Sequence, residues 1–266
     1  MVELNSFIII GCGNMGGAML DGWLAAGVSP SRFTVVDPFL AKAPRGVELL
    51  RSLPDGRYDA ILLGVKPQLL GDVAPELAKL AGPGTLLLSI LAGVEIESLA
   101  SRFPDAGGYV RIMPNLAAAI GKSPMALASR GLDEAARGQV LGLMTLLGTP
   151  DWFDEGQFDA VTALAGSGPA FVYRFIDALA EGGAALGLPA DQAQRLALAM
   201  VEGAGALASA SEHAPGELAR RVASPGGTTE AGLKALDADA ALARLVAATL
   251  KAASDRSAEM SAAARD

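Results

Sequence analysis

The stretch FIIIGCGNMGGAML, Phe7 to Leu20, runs from an apolar segment through a glycine-rich turn into a helical pattern. Gly11, Gly13 and Gly16 form G-x-G-x-x-G directly after the apolar run. In a strand–turn–helix unit each glycine has a physical task. Gly11 makes the tight turn, Gly13 lets the backbone approach a pyrophosphate, and Gly16 allows helix and strand to pack closely. The helix then opens with N–H groups that face the negative charge. The pattern is weak alone; the preceding strand, the following helix and an acidic residue, Asp37, about 20 residues further on make it a dinucleotide fingerprint. Cys12, Asn14 and Met15 complete the loop expected around the nucleotide. Cys12 reads as a small buried filler, not a reactive thiol.

Asp37 closes the next apolar run, FTVVD (Phe33 to Asp37). A carboxylate there accepts hydrogen bonds from the adenosine ribose hydroxyls of NAD and repels the extra phosphate of NADP. The site therefore leans toward NADH. Lys42 and Arg45 offset part of that repulsion and leave NADPH open. Asp37 also fits a plain strand-end turn before Pro38.

AILLGV (Ala60 to Val65), TLLLSI (Thr85 to Ile90) and YVRIM (Tyr109 to Met113) read as further strands. Their apolar runs are continuous, as expected of strands covered on both faces. Helix-length segments, Asn14 to Ala26 and Gln68 to Leu80, lie between them. Alternating strand and helix predicts an α/β fold with a doubly wound, Rossmann-type parallel sheet. PMALAS (Pro124 to Ser129) and DWFD (Asp151 to Asp154) suggest edge strands flanking a helix from Asp133 to Leu147.

Strand ends line the ligand crevice in such a sheet. GVKP therefore brings Val65, Lys66 and Pro67 to the nucleotide, with Lys66 facing either phosphate or solvent. The MPN turn places Asn115 for the nicotinamide side or for a turn of its own.

After about residue 160 the strand signals stop and alanine- and glycine-rich helices take over, Pro189 to Ala210 and Asp239 to Met260 among them. The predicted domains are 1–160, a nucleotide-binding domain, and 161–266, an all-helical C-terminal domain for dimerisation and substrate binding. So few large side chains give the helical part a weak core alone, which predicts packing against a second subunit.

Composition narrows the chemistry. Hydrophobic residues make up 51% and aromatics only 5%, so the core is aliphatic. A net charge of −8 opposes nucleic acid. Cys12 and His213 are the only cysteine and histidine, leaving little for zinc or for a Ser-His-Asp scheme. Glu3 and Asn5 precede an apolar run too short for a signal peptide, and Thr85 to Val94 is too short to span a bilayer. The expectation is a cytoplasmic protein with no membrane partner.

A second glycine turn, SPGGTTEAGL, spans Ser224 to Leu233. Its N–H groups at Gly227, Thr228 and Thr229 suit a carboxylate at a helix start, and Thr228 also fits a plain N-cap. The order GCGNMG, GVKP, MPN, AGSGPAFVY, SPGGTTEAGL resembles the pyrroline-5-carboxylate reductases over essentially the whole chain. The resemblance implies hydride transfer from NADPH or NADH to the C=N bond of 1-pyrroline-5-carboxylate, giving L-proline in the last step of its synthesis. It implies an interlocked homodimer, often within a ring of dimers. It assigns the substrate to Glu212, Ser224, Gly226, Gly227, Thr228 and Thr229, with Thr229 reaching the ring nitrogen as the catalytic residue. Two departures stand out: MPNLA replaces the usual MPNTP at Leu116 and Ala117, and Asp37 stands where NADPH-using members carry other residues.

Other readings remain: reduction of a different cyclic imine carboxylate, or dinucleotide binding without turnover. β-Hydroxyacid dehydrogenases require a lysine where counting from Gly168 reaches Val172. A histidine-dependent dehydrogenase would need His213, which reads as a surface residue.

Overall fold

The computed structural model describes residues 4–264, so Glu3 lies outside it. The expected α/β class is observed. Eight strands form one sheet in the order β3-β2-β1-β4-β5-β6-β7-β8. They are β1 (Phe7–Ile10), β2 (Phe33–Val36), β3 (Glu48–Leu50), β4 (Ala60–Leu63), β5 (Leu86–Ser89), β6 (Gly108–Met113), β7 (Ser123–Arg130) and β8 (Gly148–Trp152). The order reverses at β1, the position where such sheets bind ligands.

β1, β2, β4 and β5 are buried at every residue, which accounts for their continuous apolar sequences. Neighbours are parallel except β6 and β7. The Pro114–Lys122 connection between those two is a short 3₁₀ turn, too brief for the crossover that parallel strands need. β7 lies one place inside the edge, which β8 occupies.

Helix α1 (Asn14–Ala25) is fastened to this centre by the scarce aromatics. Trp23 stacks on Phe7 and Phe33 with ring centroids 6.2 and 5.5 Å away, and its Nε1 donates to Leu143 O at 3.1 Å. Three fully buried rings with a satisfied indole contribute about 2 kcal/mol each from burial. The segment expected as one helix from Gln68 is broken: a 3₁₀ turn (Pro67–Leu69) precedes α2 (Leu70–Leu77), which contains Pro75, and a second 3₁₀ turn follows. Pro75 has no N–H for the helix ladder, so one bond is missing inside α2.

On the far side of the sheet α3 (Ile96–Arg102) is held by a charge pair between the buried Arg111 and the partly exposed Glu155. Glu155 Oε1 accepts Ile96 N–H at 2.8 Å and Arg111 Nη1 at 3.1 Å, while the Arg111 guanidinium lies 4.6 Å over the Phe158 ring.

By compactness the chain forms two units: residues up to Ser167 together with those from Ala253 onward, and Gly168–Ala252. The first contains the sheet, α4 (Glu134–Thr145), α5 (Phe158–Val161) and the end of the last helix, whose Ser257 Oγ donates to Asp159 Oδ1 at 2.6 Å. The second is helical: α6 (Gly168–Ala185), α7 (Ala190–Ala210), α8 (Pro215–Val222), α9 (Thr228–Leu236) and the start of α10 (Ala241–Ala263). The long pair α6 and α7 buries only alanines, Ala180, Ala193 and Ala197, and leaves Tyr173, Leu196 and Leu207 more than half exposed. No helix among the described residues is long and apolar enough to cross a membrane.

Candidate functional site

The first glycine turn sits at the reversal of strand order. Gly11 leaves β1 with φ +81°, and its N–H donates to Val36 O at 2.9 Å, so the turn begins bonded to the end of β2. A Cβ at Gly11 would stand 2.9 Å from Val65 N and 3.0 Å from the Gly64 carbonyl. A Cβ at Gly64 would stand 2.5 Å from Gly11 O. The two glycines touch backbone to backbone across β1 and β4. Gly64 was not among the nucleotide residues expected from sequence, although the first letter of GVKP signals it.

Gly13 differs: nothing lies within 4 Å of the Cβ it lacks. It is the N-cap of α1, exposed, with no side-chain cap and no acidic residue in the first turn. The opening N–H groups of α1 thus lack acceptors inside the helix, and the space beside Gly13 is open, which fits a pyrophosphate. Asn14 is exposed and Met15 half-buried in that first turn, while Gly16 is buried against Gly11 O.

Asp37 organises the neighbouring loop. Its Oδ2 accepts Cys12 N–H at 2.9 Å, and its Oδ1 accepts Phe39 and Leu40 N–H at 2.8 and 3.0 Å. Burial pushes its carboxyl up, but these three N–H groups and the Arg51 charge outweigh it and hold the group below the usual aspartate range. Three of its roughly four lone-pair positions are therefore occupied by the protein itself. Cys12 is buried, and its thiol is pushed up to about 11 by desolvation, then by the charges of Asp37 and Asp21. It is a protonated filler with no nucleophilic character near neutral pH.

Val65 is half-buried beside Gly11; Lys66 is exposed and begins the 3₁₀ turn with Pro67. Asn115 is 4% exposed and almost fully engaged. Its Oδ1 accepts Ala117 N–H and its Nδ2 donates to Ala165 O, both at 2.9 Å, while Ser123 Oγ accepts its main-chain N–H. It caps the turn after β6 and ties it to the π-helical segment Thr162–Gly166.

The second glycine turn lies in the helical unit. Gly226 takes φ +71°, and Gly227 is the N-cap of α9. Gly227 N–H donates to Ser224 O at 2.9 Å, and Gly226 N–H donates to Glu230 Oε2 at 2.6 Å. Of the amides expected to take a carboxylate, Thr228 and Thr229 remain, since the first turn of a helix has no internal acceptors for them. Both threonines and Ser224 are exposed. Glu230, unremarked in the sequence, is the loop's own anion. Lys234 first, then Gly226 N–H, hold its carboxyl below the usual glutamate range. Glu212 and His213 are exposed in the connection before α8, and no cluster of metal-ligating side chains occurs among the described residues.

A doubly wound sheet with a glycine turn at its reversal and an ionised acid at the end of β2 has the architecture of a dinucleotide-binding protein, and its relatives make it an oxidoreductase of that class. The chain is 37% identical to the pyrroline-5-carboxylate reductase of Pseudomonas aeruginosa, covering 94% of this chain and 95% of that one. It is also 37% identical to the Glycine max enzyme of the same name, over 95% and 94%. The chain belongs to the pyrroline-5-carboxylate reductase family. Residues 155–260 match the pyrroline-5-carboxylate reductase dimerisation family, and residues 6–93 match the family described as NADP oxidoreductase coenzyme F420-dependent.

Solved structures agree. A pyrroline-5-carboxylate reductase from Coxiella burnetii superimposes with a TM-score of 0.89 at 29% identity, over 97% of this chain and 99% of that one. The Plasmodium falciparum pyrroline carboxylate reductase with NADP bound gives 0.83 at 25%, over 96% and 98%.

Proposed function

We propose that the chain reduces the C=N bond of 1-pyrroline-5-carboxylate to give L-proline, with residues 1–160 carrying the nucleotide and 161–266 the substrate and the contact with a second copy. The observation that carries this reading is the second glycine turn: an anion-ready helix start in a chain whose first glycine turn already accounts for the dinucleotide. Dinucleotide binding without turnover would leave that second cradle without a use.

The bound nicotinamide supplies the hydride. The protein's part is position. Gly11, Gly13 and the start of α1 hold the pyrophosphate, and Val65, Lys66 and Pro67 border it. Thr228 and Thr229 N–H groups hold the substrate carboxylate, with Ser224, Gly226 and Gly227 shaping the turn and Glu212 lining the pocket. The Thr229 hydroxyl then orients the ring nitrogen, which keeps the ring at near-attack geometry. A protonated imine is already electrophilic and no oxyanion forms, so the absence of a histidine-based acid costs little. Asn115 acts by fixing the turn after β6.

For the reductant, Asp37 keeps one lone pair for a ribose hydroxyl and leans the site toward NADH, whereas the Plasmodium relative carries NADP. Both nucleotides are expected to serve. The exposed apolar residues of α6 and α7 suit a homodimer, and rings of dimers are the expected higher assembly. A steady-state assay with 1-pyrroline-5-carboxylate and each reduced nucleotide tests the activity; no turnover with either would sink it.

A further inference from the structure

We propose that Arg51 is the specificity-determining residue with which this chain recognises the 2′-phosphate of NADPH, so that a site carrying Asp37 still accepts both nucleotides. The inference rests on the dinucleotide reading of the first glycine turn and names a residue that reading does not include.

β3 runs parallel to β2, and Asp37 N–H donates to Leu50 O at 3.1 Å, so the residue after Leu50 lies alongside the acid that conventionally reads the adenosine ribose. That residue is Arg51. Its Nη1 donates to Asp37 O at 2.9 Å and to Leu40 O at 2.6 Å. Two main-chain carbonyls thus orient the guanidinium through one nitrogen. Nε and Nη2 make no other hydrogen bond among the described residues, and the side chain is exposed. A planar fork with one arm fixed and the others free suits a phosphate oxygen pair better than a flexible ammonium does.

Charge supports the same conclusion. The Asp37 carboxylate faces inward to Cys12, Phe39 and Leu40 N–H groups, and no ion pair joins it to Arg51. Between residues 37 and 51 the cations are Lys42, Arg45 and Arg51 and the carboxylates Asp37 and Glu48, the latter accepting Thr34 Oγ1 at 3.1 Å. The segment thus carries a net positive charge despite its aspartate, which favours a dianion nearby.

The test is calorimetric titration of the full-length protein with NADP⁺ and with NAD⁺, for the wild type, Arg51→Gln and Arg51→Lys. The readout is the ratio of the two dissociation constants, because any loosening of the loop on losing the bonds to Asp37 and Leu40 moves both together. Arg51→Gln is expected to weaken NADP⁺ about tenfold or more relative to NAD⁺, and Arg51→Lys to fall between it and the wild type. An unchanged ratio in Arg51→Gln overturns the assignment. If the wild type binds neither nucleotide, the dinucleotide reading itself falls, and this inference with it.

Discussion

The carboxylate of Asp37 accepts the main-chain N–H of Cys12 at 2.9 Å, which ties the end of β2 to the glycine turn at the end of β1. The acid expected to hold the ribose is therefore first a clamp on the loop proposed to receive the pyrophosphate. Asp37→Ala is expected to weaken both nucleotides and to lower stability by about 1–2 kcal/mol, since three N–H groups lose a charged acceptor at a partly exposed site. Urea denaturation and nucleotide titration of the variant measure the two effects.

The same clamp sets a pH dependence. The folded carboxyl titrates below its unfolded value, so its stabilisation is complete above the unfolded pKa and is lost as pH falls through the folded one. Asp37→Asn should accordingly lose less stability than the wild type between neutral pH and the acidic side of the carboxylate range. Parallel acid-shifted curves for both proteins would show that Asp37 contributes nothing to the linkage.

Gly64→Ala tests the backbone contact with Gly11. The added methyl meets Gly11 O at 2.5 Å, and main chain on both sides has no room to yield. A loss of about 2–3 kcal/mol is expected, with nucleotide affinity falling in step. Gly13→Ala is the control: its methyl meets no protein atom, so stability should hold while nucleotide binding suffers. Thermal melts with and without nucleotide separate the two cases.

Thr229→Ala should lower kcat/KM for the imine by about tenfold or more while leaving the nucleotide dissociation constant unchanged, as expected for a lost hydrogen bond to a charged group. An equal loss in nucleotide affinity would mean that the turn supports the fold and not the substrate.

Glu155→Ala leaves the Arg111 guanidinium buried without its carboxylate and removes the acceptor of Ile96 N–H. Breaking a buried pair by deleting one partner is costly, and with Glu155 partly exposed about 2–3 kcal/mol is expected. Chemical denaturation measures it, with activity per folded molecule little changed.

The central strands were legible because burial on both faces writes itself as unbroken apolar runs, as in FIII and AILL. β3 was not. It is three residues long, starts with Glu48, and lies on an edge with its first residue exposed. With β3 unread, Arg51 had no position, and its proximity to Asp37 was invisible. α3 was also missed, its seven residues being too few to show a periodicity. At the sites, glycine spacing revealed both turns, since the constraint is local. The local bonds of Asp37 to Phe39 and Leu40 and of Asn115 to Ala117 match the turns the sequence offers, whereas their bonds to Cys12 and Ala165 were hidden, because those partners are distant in sequence and unmarked in type.

The sheet-bearing unit takes its closing piece from the far end of the chain, where Ser257 reaches Asp159. This imposes an order on biosynthesis. A ribosome that has completed the sheet must still translate all of Gly168–Ala252, on the order of ten seconds of elongation, before that piece exists. Throughout that interval the first unit waits on the tether with Asp159 uncapped and the Gly93 turn, which Met260 later touches, open to water. The sheet-bearing unit becomes whole only after the helical unit has been made.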